Sequence, residues 1–433
     1  MFKLKRRAKD LSYKDRYLSL TSKEFIRLGK LRKYLQLCLI LKRNLEKRGA
    51  AAKILKVKKF IRFLTWKYFD IKLLKDSDIE EGTVTRSIGR QIDSFNSADC
   101  FINFRFKKND LSRLFRLLMF PDKVILKVRR VFSGEEVFLR GLYELVTAEN
   151  QHRICRNVFG GQQPHQSMCF NYFIKFMFTN WRKLVQGNLR WWYKTGWFHK
   201  SAEYIRKKLG LPENNVAFFI DCNCMPTSVV GGGPAEDGAN SMRWDKTIQQ
   251  AYYNGWKSIH GLKHQTLDNC LMTCDIAGPG SLRRNDMNVL NESGIEEELE
   301  EVQEEEEDEL LKYDAMGDSA YLQQRHIRSY WKVSTMVNLS DEQKAAFKFW
   351  NARMKKVRIS IEWNYGQTAS LFTYVDARKT KLKLLKNPKA VSSVYIVATL
   401  FRNFHTALYG SQTSRYFEVD IPDDFLESYI NQV

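Results

Sequence analysis

Apolar residues fall into two regimes along this chain of 433 residues: helical spacing up to about residue 200, and short continuous runs from residue 216. Within residues 1–80, Leu31, Tyr34, Leu35, Cys38 and Leu45 share one helix face and no Pro interrupts them, which predicts amphipathic helices. A polar stretch over 76–99 reads as a linker, and helical periodicity resumes over 110–119 and 122–131. Ser133-Gly134-Glu135-Glu136 is a capping box, in which the serine oxygen and the Glu136 carboxylate satisfy open amides at a helix start. The helix it predicts runs through Phe138, Leu142 and Leu145 and breaks at 148–150. A short helix around Ile154, a turn at Phe159-Gly160-Gly161 and a longer helix over 165–181 follow. Three helices with a tight glycine turn suit a helix-turn-helix whose final helix enters a DNA groove. The apolar character of 169–178 suits a purely structural bundle equally well.

The run Val216-Ala217-Phe218-Phe219-Ile220, bounded by Asn215 and Asp221, predicts a buried central strand. Gly231-Gly232-Gly233 marks a loop. Further strands are expected over 256–260, 266–274 and 315–316, then helices over 341–350 and 353–366. Strands first, then a helix bearing a carboxylate, is the order of a ribonuclease-H-like domain. The fold class expected is thus α/β, a ribonuclease-H-like catalytic domain preceded by an all-α region with a helix-turn-helix-like segment. Its boundaries are a basic helical extension 1–80, a linker 81–104, a helical domain 105–200, the ribonuclease-H-like domain 201–412 and a C-terminal tail 413–433.

Charge sharpens this picture. The net +22 is uneven: residues 1–80 carry 24 basic and 8 acidic side chains, whereas 292–309 carry 12 acidic and no basic ones. A basic surface of this kind suits a polyanion such as DNA or RNA, whose counterions it releases on binding, although ribosomal and membrane-surface proteins share it. The amino-terminal helices are read either as a DNA or partner contact or as a solvated pair packed on the core. Lys3, Lys5, Arg6 and Arg7 resemble a nuclear import signal. The acidic run is expected to be a disordered insertion in the 201–412 domain, either a solvated loop or an autoinhibitory mimic of DNA. Eight cysteines without a dense even spacing read as reduced thiols of an intracellular protein. No signal-peptide pattern opens the chain, and the apolar runs 35–41 and 391–401 fall short of the ~20 residues a membrane helix needs, so a soluble protein is expected.

Three acids are candidates for chemistry. Asp221 ends the first strand, Asp318 follows a short apolar run and Gly317, and Glu362 shares a helix face with Ile359, Tyr365 and Gly366. Carboxylates brought together repel unless cations neutralise them, and oxygen ligands favour Mg²⁺ or Mn²⁺, with two ions ~4 Å apart suited to phosphodiester cleavage. Other clusters compete. Cys222, Cys224, Cys270 and Cys274 with His260 and His264 lack the usual zinc spacing and read better as core thiols. The tract from Trp181 to Trp197 interleaves aromatic and basic groups, as a base-stacking surface does, but Trp side chains more often pack. The glycine loop at 231–233 lacks the Lys-Ser/Thr of a phosphate-binding loop, so nucleotide binding is not expected.

Five blocks in order, 219–223, 251–263, 280–287, 317–321 and 358–366, carry Asp221, a Lys/His/Gly pattern around Lys257, His260 and Lys263, then Arg284-Asn285-Asp286, Gly317-Asp318-Ser319-Ala320-Tyr321, and Arg358 with Glu362 and Gly366. This order resembles the nuclease domain of PIF/Harbinger-type DDE transposases over about residues 133–410. The resemblance implies Asp221, Asp318 and Glu362 as catalytic metal ligands for cutting and joining DNA at transposon ends. It adds Asp286 as an acid near the site, with Lys257, Lys263, Arg283, Arg284 and Arg358 as candidate phosphate or carboxylate contacts. It further implies a nuclear protein that binds DNA, works with a Myb-like accessory DNA-binding protein and is compatible with a homo-oligomer. Many relatives have Gly-Thr-His after the first aspartate where this chain has Cys222-Asn223-Cys224. The alternative is a host-adopted DNA-binding protein that keeps the fold and is catalytically silent.

Overall fold

The computed structural model describes residues 90–126, 130–211, 214–228, 250–304, 312–380, 382–383 and 388–432. The expected basic extension 1–80, the linker residues 81–89, the glycine loop 231–233 and acidic residues 305–309 lie outside the described residues. The chain divides into two compact units, Met1–Arg86 with Lys127–Val131, and Ser87–Leu126 with Phe132–Val433. The second holds the main sheet and every candidate site residue.

Where a linker was expected, residues 97–104 are a helix. The Asn96 side chain caps α1 (Ser97–Phe104) by accepting from Asp99 N, and Phe95, Cys100 and Phe104 are buried. Four apolar side chains, with Ile92, thus turn inward from a segment whose polar majority faces water. After α2 (Lys108–Leu117) comes α3 (Gly134–Thr147), which starts at the predicted capping serine: Ser133 Oγ accepts from Glu136 N. The Glu136 carboxylate, however, accepts from the buried Arg140 at 2.8 Å, so only the serine half of the box forms. Arg140 also donates to Gln166 and to the carbonyls of Phe159 and Gly160, fastening α5 (Gln163–Trp181) and the turn before it to α3, while Gln151 of α4 (Gln151–Ile154) donates to Glu144. α5 also packs on α11 (Pro388–Tyr409), where Phe173 meets both Phe138 of α3 and Phe401. Beyond its first turn α5 exposes Asn171, Lys175 and Asn180, with Met168, Tyr172, Phe176 and Thr179 partly exposed, while Cys169, Phe170, Phe173, Ile174 and Met177 are buried.

Next are α6 (Leu189–Lys194) and α7 (Trp197–Leu209). Trp181, Trp192 and Trp197 are buried, and the last two pack on Phe425, so these rings fill the core. Phe425 belongs to the expected C-terminal tail. That segment folds as α12 (Gln412–Phe417) and α13 (Phe425–Ile430), burying Phe417, Phe425, Leu426, Tyr429 and Ile430. Aromatic and aliphatic residues at helical spacing make it part of the domain.

Among the described residues the main sheet has seven strands: β1 (Val216–Ser228), β2 (Tyr253–Asn254), β3 (Ile259–Asp268), β4 (Thr273–Ser281), β5 (Asp314–Met316), β6 (Ile327–Arg328) and β7 (Leu382–Lys383). β3 runs antiparallel to β1 and to β4, while β5 lies parallel to β1 and β6 parallel to β5. The run ahead of Asp221 is wholly apolar because helices cover both faces. Ala217, Phe218 and Ile220 join the larger core, and Val216 and Phe219 meet Met354, Val357 and Ile361 on the other side. The single strand expected over 266–274 is two strands and a turn, closed where the Asn269 side chain accepts from Leu271 N and Met272 N. The two helices expected over 341–366 are one 31-residue helix, α10 (Asp341–Leu371), with a full capping box at Ser340 and Gln343.

The acidic run is also ordered as far as it is described. α8 (Asp286–Ser293) leads into α9 (Ile295–Val302), whose Ile295, Leu299 and Val302 are buried on one face while the glutamates line the rest. Apolar residues four and three apart form a helical stripe, and it outweighs the like-charge repulsion that suggested disorder. Gln303, just past α9, is buried and bonds both main-chain groups of Tyr313, accepting from its N at 2.6 Å and donating to its carbonyl at 3.1 Å. No helix of the described residues is long and apolar enough to cross a membrane.

Candidate active site

Asp221 follows the buried run of β1 but does not end the strand as expected, since pairing with β3 carries it on to Ser228, and the parallel register places Asp318 level with it: each lies two residues beyond the paired positions Phe219 and Met316. The third acid comes from α10, which packs across the sheet on Val216 and Phe219. Four residues before Glu362 on that helix is Arg358, and its guanidinium joins the acids. Nη1 lies 3.1 Å from Asp221 Oδ2, Nη2 lies 3.3 Å from Glu362 Oε1, and Nε donates to Tyr330 Oη at 3.1 Å. The Arg358 side chain is 14% exposed against 51% for Glu362, so the guanidinium is the more enclosed partner.

Asp221 is held from several sides. Its Oδ1 accepts from Cys222 N at 2.8 Å, and its main-chain carbonyl accepts from Tyr365 Oη at 3.0 Å. Burial raises the Asp221 carboxyl pKa; Arg358 and the Cys222 amide oppose this, and the Asp318 charge adds to it. Burial also works against the Arg358 charge, but Asp221 and Tyr330 outweigh it and hold the guanidinium charged. Asp318, two residues past β5, accepts from Ala320 N at 2.8 Å.

A second polar cluster lies alongside. Lys263 on β3 reaches Asp286 Oδ1 at 2.7 Å and the Arg284 carbonyl at 2.6 Å, nearly sealed from solvent. Gln265 donates to Tyr321 Oη at 2.9 Å, and Cys222 Sγ is 3.5 Å from the same hydroxyl. The glycine of the Gly317-Asp318-Ser319-Ala320-Tyr321 block has a packing reason: a Cβ on Gly317 would sit 2.6 Å from the Tyr321 ring. Gly261 has a similar one, since its Cβ would fall 2.3 Å from the Met225 carbonyl oxygen.

The structure therefore brings Asp221, Glu362 and Arg358 into contact, with Asp318 in electrostatic reach of Asp221. Asp286 and Lys263 pair with each other instead. Lys263, so enclosed, offers no charge to a phosphate. Arg284 pairs with Glu292, whereas Arg283 and Lys257 are exposed, as is Trp256, which precedes Lys257 in the chain and is 94% exposed. Tyr330 and Gln265 escaped the sequence reading. Tyr330 follows a two-residue strand with no periodicity to mark it, and Gln265 lies inside a continuous buried run.

The cations that three carboxylates call for do not fit this arrangement as it stands. Among the described residues no three His, Cys, Asp or Glu side chains are grouped to hold a metal ion, and between Asp221 and Glu362 the reason is Arg358. The cysteines do not form such a group either. The seven described ones are unpaired thiols, Cys270 and Cys274 are buried, and His264 bonds Ser392 with its pKa pushed down to about 3 by burial. No family model, curated protein or solved structure matches this chain.

Proposed function

We propose that this chain is a divalent-metal-dependent DNA nuclease of the DDE transposase superfamily, of PIF/Harbinger type, cutting and joining phosphodiester bonds at transposon ends. The observation that carries the reading is the parallel register that sets Asp221, midway along β1, level with Asp318, just past the end of β5, with Glu362 drawn toward Asp221 through Arg358. The strand order supports it: an antiparallel trio, β4-β3-β1, continued by parallel β5 and β6, then a carboxylate-bearing helix, is the order of a ribonuclease-H-like domain. Acids so placed repel a phosphate unless cations stand between, which is why the reading calls for Mg²⁺ or Mn²⁺. DNA, a Myb-like accessory protein and nuclear residence belong to the same reading.

A host-adopted DNA-binding protein that no longer cuts is the second reading. One observation favours it: a guanidinium occupies the ground between Asp221 and Glu362. Nicking separates the two. The full chain, incubated with supercoiled plasmid and Mg²⁺ or Mn²⁺, is expected to convert it to open circles, and Asp221→Ala to leave it intact. Tight DNA binding with no nicking under either cation would sink the nuclease reading and leave the second.

A further inference from the structure

We infer that Trp256, in the turn between β2 and β3, is a base-stacking contact for unpaired DNA strand, with Lys257 and Arg283 beside it as phosphate contacts. The inference takes DNA as the partner from the reading above and involves no cation and no cleavage step.

Water is a costly place to leave an indole. Trp256 is nonetheless 94% exposed, more than any other large apolar side chain of the described residues. The fold holds it there. β2 and β3 pair at Tyr253–His260 and Asn254–Ile259, so residues 255–258 make the turn. The Asn254 side chain fixes that turn, accepting from Lys257 N at 2.9 Å and donating to the Leu282 carbonyl at 2.9 Å. The second bond ties the turn to the residue before Arg283, so Trp256, Lys257 and Arg283, all exposed, come to one region of the surface. The acids that follow in the chain do not cancel these cations, because Asp286 pairs with Lys263 and Glu292 with Arg284.

Exposed cations beside an indole match a polyanion built of flat rings. A protein partner fits less well: a stable protein interface buries on the order of 1,000 Å², and one ring on a charged turn offers a small part of that. A base offers a face of the indole's own size. It must be unpaired, since bases in a duplex turn their faces to each other. The turn also stands apart from the acids. Thr266 lies opposite Asp221, seven residues along β3 from Ile259, or roughly 24 Å at ~3.4 Å per residue. Trp256 therefore grips strand at a distance and takes no part in chemistry at Asp221.

The test titrates the full chain, with chelator present, into a labelled oligothymidylate strand and into a blunt duplex of the same length, read by fluorescence anisotropy. Trp256→Ala should weaken single-strand binding about 5- to 150-fold and leave the duplex within about twofold. The slope of log affinity against log salt should not change, because no charge is lost. Trp256→Phe, which keeps a ring, should retain most of the affinity. Lys257→Gln with Arg283→Gln should do the reverse, flattening the single-strand slope by about 1.4, the share of two phosphates. A side chain so exposed can be cut back without loss of the fold, which circular dichroism checks. Unchanged single-strand affinity in Trp256→Ala, or an equal loss on the duplex, overturns the inference, as does a chain that binds neither form. Plasmid nicking is read separately: the expected loss in a chain that never nicks leaves the inference standing and sinks the nuclease reading, while nicking with no such loss does the opposite.

Discussion

Tyr365, one turn beyond Glu362 on α10, donates its hydroxyl to the main-chain carbonyl of Asp221 at 3.0 Å, while Thr266 Oγ1 lies 2.8 Å from the same hydroxyl. The helix that brings the third acid thus also grips the strand that carries the first. Tyr365→Phe removes that grip and leaves the Asp221 carbonyl and Thr266 short of a partner. It should cost about 1–3 kcal/mol of stability, read by urea unfolding. Nicking should fall more than DNA affinity does.

Asp221→Ala, Asp318→Ala and Glu362→Ala should each abolish Mg²⁺-dependent nicking and leave DNA binding near the wild-type level in a gel-shift titration. Carboxylates contribute no attraction to phosphate by themselves. A Glu362→Ala protein that nicks at the wild-type rate would remove the third acid from the site.

Leu299 in the acidic segment is buried, and Gln303, also buried, ties α9 to Tyr313 at the entrance to β5. Leu299→Ala should therefore destabilise the protein by about 2–5 kcal/mol, as cavity formation does elsewhere. Thermal unfolding followed by circular dichroism measures it. A disordered insertion would show no change.

Glu144 is buried against Gln151 and Gln166, and burial raises its pKa to about 7, the two amide donors opposing. Folded Glu144 keeps its proton up to about pH 7 while the unfolded chain releases it near 4.5, so the folded state binds more protons across this interval. Stability should then fall as pH rises from about 4.5 to about 7, by up to roughly 3 kcal/mol from this group. Glu144→Gln, which cannot ionise, should flatten that part of the profile in urea titrations taken at steps of pH.

The parts legible in the sequence were those governed by neighbours along the chain. The apolar run before Asp221 read as a central strand because both sheet faces are covered, and Ser133 and the Arg358–Glu362 spacing read as helix because their partners are three and four residues away. Contacts across the fold were not legible. Nothing near Tyr330 announces that its hydroxyl meets a guanidinium 28 residues on. The acidic run misled because its charge count hid the stripe of Ile295, Leu299 and Val302, and the tail because position at a chain end says nothing of whether Phe425 and Tyr429 have a core to enter.

The length of α10 has a mechanical consequence. No residue of this 31-residue helix before Met354 is buried, whereas beyond it lie Arg358, Glu362 and Tyr365. At ~1.5 Å per residue the helix spans roughly 46 Å, and a tilt of ~5° about its seated half would move the free end by about 2 Å. The exposed end, with Phe349 in water and Phe347 stacked on Trp331, is therefore a handle on the same rigid rod that carries the acid and its guanidinium. A load applied to that handle, whatever applies it, is a torque on Arg358.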